Sequence, residues 1–175
     1  MATQTVLTLM QEYLQTSYSP DMDFVDGHLE ERNVGEHEHA RLQWLIAKAF
    51  SPREDEWDLE GVIEQRIRVD GSRVRICDVA LLRSDAPFER VIETPPFLCI
   101  EILSREDRLS RAKIVLEDYW RMGVKHIWLL DPHRDIAYVF DDAGLHEAED
   151  VLQVPGTEMR LDYHALFARF QSVHS

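Results

Sequence analysis

A mixed α/β sheet flanked by helices is the fold class that the sequence predicts. Apolar residues recur at helical spacing in two long segments, apolar runs of strand length lie between and after those segments, and turn-forming residues separate the runs. The order of helix, strands, helix and strands is typical of a mixed sheet covered by helices. The chain of 175 residues, 45% hydrophobic and 30% charged, suits one domain, residues 1–175, with a sizeable core.

The first part of the chain is predicted to contain two helices with a short hairpin between them. Residues 4–16 form a short amphipathic helix, which makes residues 1–19 an N-terminal helical extension. Two short strand pieces within residues 24–32 surround an Asp-Gly turn. Residues 36–50 are the clearest early helix, because their apolar side chains form one stripe. The stripe consists of Leu42, Leu45, Ile46, Ala49 and Phe50.

Strand-like runs occupy the middle of the chain, at residues 60–69, 74–83 and 97–104. The last two runs are separated by a proline-containing loop. A second long helix is predicted over residues 107–122. It ends before Gly123, because glycine readily adopts the left-handed conformation found just past a helix.

The last part of the chain is predicted to hold a hairpin and a terminal helix. Strands at residues 124–130 and 135–140 are joined by the turn-forming residues 131–134. A short strand near Leu145 and a helix from about 161 to 170 complete the fold.

Two of the predicted strands each contain one carboxylate that an apolar core does not normally hold. These are Asp78, in the run Arg75-Ile76-Cys77-Asp78-Val79-Ala80-Leu81-Leu82, and Glu101, in the run Phe97-Leu98-Cys99-Ile100-Glu101-Ile102-Leu103-Ser104. An ionised carboxylate in such a run is costly unless it is paired, hydrogen-bonded or bound to a metal. From the pattern alone, a shared divalent cation and an ion pair with a nearby arginine are equally compatible. The arginines closest in sequence are Arg66, Arg68, Arg73 and Arg75.

The alternation of side chains along a strand allows the two carboxylates to meet. If the two strands are neighbours, Asp78 and Glu101 can lie on one side of the sheet. In that arrangement Cys77 faces away from Cys99, so a disulfide between them is not expected. Free cysteines agree with a reducing compartment.

The sequence shows no targeting or membrane-spanning segment. The N-terminal residues lack the basic start and long apolar centre of a signal peptide, and no run of eighteen apolar residues occurs. We therefore expect a cytoplasmic protein without a membrane partner.

The net charge of −14 argues against a protein that binds nucleic acid through bulk electrostatics, because phosphate neutralisation needs a basic surface. A local basic groove is still compatible with this charge. Basic residues cluster on both sides of the carboxylate strands, at residues 66–75 and at Arg105, Arg108, Arg111 and Lys113.

Several blocks of the sequence resemble one known family. They are Phe-Val-Asp-Gly-His-Leu at 24–29, Arg-Ile-Cys-Asp-Val at 75–79, Pro-Pro-Phe-Leu-Cys-Ile-Glu-Ile-Leu-Ser at 95–104, and Gly-Val-Lys-His-Ile-Trp-Leu-Leu-Asp-Pro at 123–132. Together with Tyr119 they resemble the Uma-two family of predicted bacterial endonucleases, a branch of the PD-(D/E)XK nuclease superfamily. The resemblance extends from about residue 20 to residue 170. It implies a restriction-endonuclease-like sheet, phosphodiester chemistry that depends on Mg²⁺ or Mn²⁺, and DNA as the substrate.

The resemblance also implies roles for individual residues. Asp78 matches the first acid of the superfamily motif and Glu101 the second, and both are expected to bind the metal and to be catalytic. The superfamily often adds an acid from the first long helix. Glu38 borders the apolar stripe of that helix, so it is the expected third metal ligand, with His39 as a partner behind it. The alternative for Glu38 is an acid favoured by the positive end of the helix dipole.

The sequence departs from the family pattern at its lysine. Leu103 stands at the third motif position, and Val115 stands where this family usually carries the lysine on the following helix. The nearest lysine is Lys113, at the edge of the apolar stripe of that helix, and it is the candidate catalytic cation. A lysine that only extends from the helix edge into solvent is the alternative. A second function therefore stays open, that of a nuclease-fold protein with little or no activity that serves as a binding or dimerisation module.

Assembly can also be predicted from the resemblance. Nucleases of this fold that cut two strands act as pairs, and the apolar hairpin at residues 124–140 could supply an exposed edge for pairing. We expect a homodimer.

Overall fold

The computed structural model describes residues 2–32 and 37–172, with side chains in the first helix described from Leu9 onward. The helices are α1 (Ala2–Gln15), α2 (His37–Phe50), α3 (Glu54–Trp57), α4 (Leu109–Met122) and α5 (Tyr163–Gln171). The strands are β1 (Asp23–Val25), β2 (His28–Glu30), β3 (Leu59–Arg68), β4 (Arg73–Arg83), β5 (Leu98–Ile102), β6 (His126–Asp131), β7 (Ile136–Asp141), β8 (Gly144–Glu147), β9 (Leu152–Gln153) and β10 (Arg160–Leu161). None of the described helices has the length and apolar character needed to cross a membrane.

The predicted fold class, a mixed sheet flanked by helices, is confirmed. Eight strands form one sheet in the order β2-β1-β4-β5-β6-β7-β8, with β3 paired to β4 outside this sequence of neighbours. The pair β5–β6 is parallel, since α4 carries the chain back across the sheet between these strands. Strands β9 and β10 form a separate two-stranded ladder.

An apolar core lies on each face of the sheet. On one face, Leu42 and Ile46 of α2 pack with Phe167 of α5 against the sheet, around the fully buried Trp128. On the other face, α4 buries its own apolar stripe, which includes Tyr119. These two layers fix α2 and α4 on opposite sides of the central strands β4 and β5.

The central strand β4 forks the sheet. β3 pairs with β4 along one edge, from Leu59 opposite Arg83 to Arg68 opposite Val74. The other edge of β4 pairs with β1 at residues 73–74 and with β5 at residues 79–81. Strands β1 and β5 therefore diverge over the intervening residues of β4, and a cleft opens between them.

The N-terminal helix packs onto the start of this fork. Met10 and Tyr13 of α1 are buried with Phe24 of β1 and Val74 of β4. The Tyr13 hydroxyl donates a hydrogen bond of 2.7 Å to the carbonyl of Met22. The guanidinium of Arg66 lies 4.4 Å from the centre of the Tyr13 ring, at the distance of a cation–π contact.

The hairpin at residues 124–140 is not the exposed edge that the sequence suggested. Its first strand, β6, lies between β5 and β7, and its second strand, β7, is covered along its outer side by β8. The apolar side chains of the hairpin are explained by this central position, because both of its strands contribute to the buried faces of the sheet.

The cysteines also differ from the expected arrangement. Cys77 and Cys99 are free and buried, but they lie in the same cluster on the α4 face instead of on opposite faces. Strict alternation fails along β4, since Cys77 and Ala80 contribute to the same cluster although they are three residues apart. The irregularity coincides with Glu64, which adopts a left-handed φ of 50° in the neighbouring strand.

Candidate active site

The cleft at the fork of β4 is a small pocket of about 70 Å³. By the same measure a water molecule needs only ~10–15 Å³, so the cleft has room for several waters. Its walls include β4, β5, the start of α2, the first half of α4, and the segment after β2. They contribute Asp78, Glu101, His39, Ala112, Val115 and Arg32.

Asp78 projects from β4 into this cleft and accepts three hydrogen bonds. Its Oδ1 accepts one from Arg32 at 2.6 Å and lies 3.0 Å from Nε2 of His39. Its Oδ2 accepts one from the backbone N–H of Ile102, at 2.8 Å. That N–H belongs to β5 beyond the point where β5 leaves β4, so the carboxylate supplies the partner that the diverging strand lacks.

The surroundings of Asp78 keep its carboxylate ionised. Burial alone would raise the pKa of Asp78, but the hydrogen bond and charge of His39, the charge of Arg32 and the Ile102 N–H together lower it below its ordinary value. The pKa of His39 moves in the opposite direction: burial acts to lower it, but the hydrogen bond to Asp78 and the negative charges of Asp78 and Glu64 together outweigh burial and raise it. The imidazole is therefore stabilised in its protonated form beside Asp78.

Glu64 adds a third carboxylate, directly across the β3–β4 ladder from Asp78. Gln43 of α2 donates a short hydrogen bond to Glu64 Oε1, and Arg32 donates one of 2.6 Å to Glu64 Oε2. Glu64 is the residue with the left-handed φ, a conformation that costs about 1–3 kcal/mol for a non-glycine residue and clusters at functional sites.

These groups fit a divalent metal. Single ligand atoms of His39, Glu64 and Asp78 all lie within 4.8 Å of one another. Opposite ligands on one Mg²⁺ ion are about 4.2 Å apart, twice the usual bond length of ~2.1 Å, so the spacing is close to that of a shared ion. Carboxylate oxygens are the donors that Mg²⁺ and Mn²⁺ prefer.

Glu101 lies on the opposite wall of the same cleft and is partly buried. The hydroxyl of Tyr119 donates a hydrogen bond of 2.6 Å to its Oε1. Burial first, and then the negative charge of Asp78, raise the pKa of Glu101 well above its ordinary value, although the Tyr119 hydrogen bond and Arg32 act in the opposite direction. A divalent cation bound near these two carboxylates would relieve the repulsion between them.

The structure brings together some of the sequence-predicted residues and separates others. Asp78 and Glu101 line one cleft, and His39 contacts Asp78. Glu38 is not among the residues that line this cleft: its carboxylate is 3.4 Å from Arg105 at the surface, and it borders a separate small cavity. Lys113 is exposed and does not line the cleft, whereas Val115 does.

The arginine that pairs with Asp78 is Arg32, and not one of the four that are closest in sequence. Those four bind other acids of the described chain. Their partners are Asp21 for Arg66, Glu93 for Arg68, Asp26 and Asp118 for Arg73, and Asp23, Glu30 and Asp118 for Arg75. Both explanations for a buried Asp78, an ion pair and a metal site, therefore meet in one cluster.

Three residues of the cluster were missed in the sequence: Arg32, Gln43 and Glu64. Two of them carry a recognisable signal. Gln43 lies four residues after His39, so both project from one face of α2. Glu64 and Asp78 are equally distant from Gly71 in the β3–β4 turn, so a hairpin centred there places them opposite each other. For Arg32 no such local pattern exists.

Comparison with known proteins places the chain among nuclease-like folds. The family model Uma2, described as "Putative restriction endonuclease", matches residues 10–163. A crystal structure from Anabaena variabilis, described as a "putative nuclease belonging to DUF820", matches with a TM-score of 0.79. The two chains are 16% identical, and the similarity covers 93% of this chain and 98% of the other, which shows the fold. No curated protein matches the chain.

Proposed function

Since the chain belongs to the Uma2 family, whose description is that of a restriction endonuclease, we propose that it is a metal-dependent endonuclease that hydrolyses phosphodiester bonds in DNA. The observation that carries the proposal is the convergence of Asp78, Glu64 and His39 within 4.8 Å, beside a cleft that Asp78 and His39 line together with Glu101. Two carboxylates, those of Asp78 and Glu101, are costly in one small cleft of a domain that needs them only for stability.

The residues of the site would hold the ion in two ways, as ligands and as side chains that orient the ligands. Asp78, Glu64 and Glu101 supply carboxylate oxygens, and each has, besides any contact with Arg32, a neighbouring side chain that helps to fix its orientation. Those neighbours are His39 for Asp78, Gln43 for Glu64 and Tyr119 for Glu101. A bound Mg²⁺ or Mn²⁺ ion would stabilise charge on the phosphate and lower the pKa of a water.

Local charge supports DNA as the substrate in spite of the acidic net charge. Arg111 lines the cleft beside Val115, and Arg105 lies at the surface near the start of α2. Side chains of this kind at the mouth of an otherwise acidic site can contact phosphates on either side of the scissile bond. The contacts to the DNA backbone would be few, in keeping with the net charge of −14.

We also propose a homodimer, because cutting both strands of a duplex requires two such sites. The hairpin at residues 124–140 lies within the sheet, so the contact between subunits has to use another surface. Light scattering at tens of micromolar protein gives the molar mass directly, and the mass of a single chain would contradict the proposal.

The test of activity is nicking of supercoiled plasmid by the wild-type protein with Mg²⁺ or Mn²⁺, compared with Glu101→Gln. We expect wild type to nick and Glu101→Gln to lose at least a hundredfold in rate, because the loss of metal-held charge costs several kcal/mol of barrier. Glu101→Gln is the sharper variant, because it removes a carboxylate whose ionisation is unfavourable and should therefore fold well. Asp78→Asn gives the second comparison.

The alternative is a binding or dimerisation module on the same fold. Single-stranded, duplex and branched DNA should each be tried with both metals. If none is cut by wild-type protein that binds the metal, the endonuclease proposal fails and the module takes its place.

A further inference from the structure

The guanidinium of Arg32 lies between two acids of the site. One of its terminal nitrogens donates a hydrogen bond of 2.6 Å to Asp78 Oδ1, and the other donates one of 2.6 Å to Glu64 Oε2. The Arg32 side chain is only 10% exposed, so its contact with the buried Asp78 is shielded from water, whereas Glu64 is partly exposed. The negative charges that act on it include those of Asp78, Glu101 and Glu64, the three carboxylates that would hold a metal, and Asp23 lies 4.0 Å from its Nε.

An arginine in this position competes with a metal ion. Charge-assisted hydrogen bonds use the oxygen lone pairs that would point at a cation, so Asp78 Oδ1 and Glu64 Oε2 cannot serve Arg32 and an ion fully at the same time. An ion that takes these oxygens must displace the guanidinium. The displaced guanidinium remains beside the cleft, because Arg32 lies two residues after the end of β2.

The described part of the chain offers Arg32 as the cation closest to the acids. The family position for lysine is Val115, and Lys113 does not line the cleft. Arg111 lines the cleft, but its guanidinium donates to the Glu31 carbonyl at 2.8 Å and lies 3.7 Å from Glu30, at the rim. A guanidinium can bind a phosphate through two parallel hydrogen bonds, and it stays charged at any pH at which the protein is folded.

We propose that Arg32 is the phosphate-binding cation of this site and that, before the metal binds, its guanidinium occupies the position of the metal between Asp78 and Glu64. Binding of the ion frees the guanidinium, which then contacts the phosphate of the substrate. The first half concerns the metal alone. The second half rests on the proposed endonuclease function.

Metal affinity tests the competition without any reference to activity. Mn²⁺ binding is measured by calorimetry on wild type, Arg32→Gln and the control Arg53→Gln, which loses the same charge at a surface pair with Glu56. Arg32→Gln should bind Mn²⁺ about tenfold more tightly or better, because two charge-assisted hydrogen bonds no longer have to be broken. Arg53→Gln should bind as wild type does. Unchanged or weaker binding by Arg32→Gln overturns the competition.

A measurement on the wild-type protein covers the case in which Arg32→Gln does not fold. The experiment uses Mg²⁺ instead of Mn²⁺, because Mg²⁺ is diamagnetic. In protein with ¹⁵N-labelled arginine, the side-chain N–H signals of Arg32 should shift and lose protection from exchange as Mg²⁺ is titrated to saturation. The Arg53 signals serve as the internal control and should stay in place. Arg32 signals that do not respond to saturating Mg²⁺ overturn the competition.

Activity at saturating metal tests the second half. Arg32→Gln should lose a hundredfold or more in nicking rate although its metal site is full, and Arg32→Lys should retain more activity than Arg32→Gln because it keeps the charge. Nicking by Arg32→Gln at the wild-type rate shows that Arg32 is only a counter-ion and overturns this half. A wild-type protein that cuts nothing refutes the endonuclease proposal instead, and the metal affinities still decide the competition.

Discussion

The hydroxyl of Tyr119 donates a hydrogen bond of 2.6 Å to Glu101 Oε1 from the buried face of α4. The bond favours the ionised carboxylate and so counteracts part of the rise in the pKa of Glu101 that burial and Asp78 cause. The helix that covers one core of the sheet thus also adjusts the protonation of an acid in the cleft. This relationship can be tested by removing a single oxygen atom.

Tyr119→Phe should weaken Mn²⁺ binding by about tenfold. Loss of the hydrogen bond, worth ~1.5–3 kcal/mol to a charged group, raises the pKa of Glu101 further, and the proton then competes more strongly with the metal. Calorimetric titration measures the effect. Tyr163→Phe is the matched control, because it also removes a hydroxyl from a buried tyrosine, which there donates to the carbonyls of Ala148 and Glu149. Equal losses of affinity in both variants would contradict the assignment.

Glu101→Gln should raise the thermal stability of the metal-free protein at neutral pH. The folded chain holds the Glu101 proton at a higher pH than the unfolded chain does, so between the two pKa values ionisation favours unfolding, by at most about 1.4 kcal/mol for each pH unit. The gain in melting temperature should therefore shrink as the pH is lowered towards 4.5, the ordinary pKa of a glutamate. A variant that is less stable than wild type at pH 7.5 would argue against this account.

Asp78→Asn should have the opposite effect on stability. The pKa of Asp78 is lowered in the folded chain, so its charge contributes stability above the pKa of the unfolded chain, and this contribution is lost as the pH falls through the folded value. Removing one partner of a buried pair costs about 3–5 kcal/mol, because Arg32 and His39 are left without their shared acceptor. Chemical denaturation at pH 7.5 measures the difference, and stabilisation by Asp78→Asn would contradict the pairing.

Metal affinity should rise with pH. Glu101 and His39 both have raised pKa values, so at lower pH more protons must be displaced before the ion can bind. Mn²⁺ titrations between pH 6 and 8, in buffers of different ionisation enthalpy, report the affinity and the number of protons released. Glu101→Gln should release fewer protons than wild type, and a wild-type affinity that does not change with pH would count against the prediction.

The identity of the third acid can be decided by comparing two glutamates. Glu64→Gln should weaken Mn²⁺ binding by at least tenfold, because Glu64 lies within 4.8 Å of Asp78 and His39 in the candidate centre. Glu38→Gln should bind Mn²⁺ as wild type does, because its carboxylate is directed to Arg105 at the surface. If Glu38→Gln weakens Mn²⁺ binding and Glu64→Gln does not, the third ligand is Glu38, the acid from α2 that was expected from the sequence.

How far the site could be predicted from sequence depends on the range of each interaction. The long helices, the central strands and both of their acids follow from local periodicity, and the helical angle alone places His39 beside the site. The short elements α3, β9 and β10 were not predicted. Glu64 depends on the register of a hairpin, which needs the turn at Gly71 to be located correctly. Arg32 is 46 residues from Asp78, and the contact exists only because β1 pairs with the start of β4. Charge pairs of that separation carry no local signal.

Glu38, the third acid expected from the sequence, also shows that local patterns do not determine which residues reach the site. The helical angle predicts both Glu38 and His39 next to the apolar stripe of α2, and of the two it is His39 that is buried and contacts Asp78. The helix passes the cleft with only its His39 and Gln43 positions facing Asp78. Its tilt relative to β4 decides this, and tilt depends on packing against α5 and the sheet, which a single sequence does not display.

The forked sheet has a consequence for which part of the molecule opens first. The arm formed by β1 and β2 shares two residue pairs with β4, whereas β3 shares nine with it. Ion pairs add to this short ladder, among them Asp21 with Arg66 and Asp23 with Arg75. A ladder of two residue pairs has fewer hydrogen bonds to break than a ladder of nine, so amide hydrogens of the arm should exchange with solvent earlier than those of β3. Arg32 lies two residues after the end of this arm, so the opening of the arm would set how often the guanidinium leaves the acids on its own.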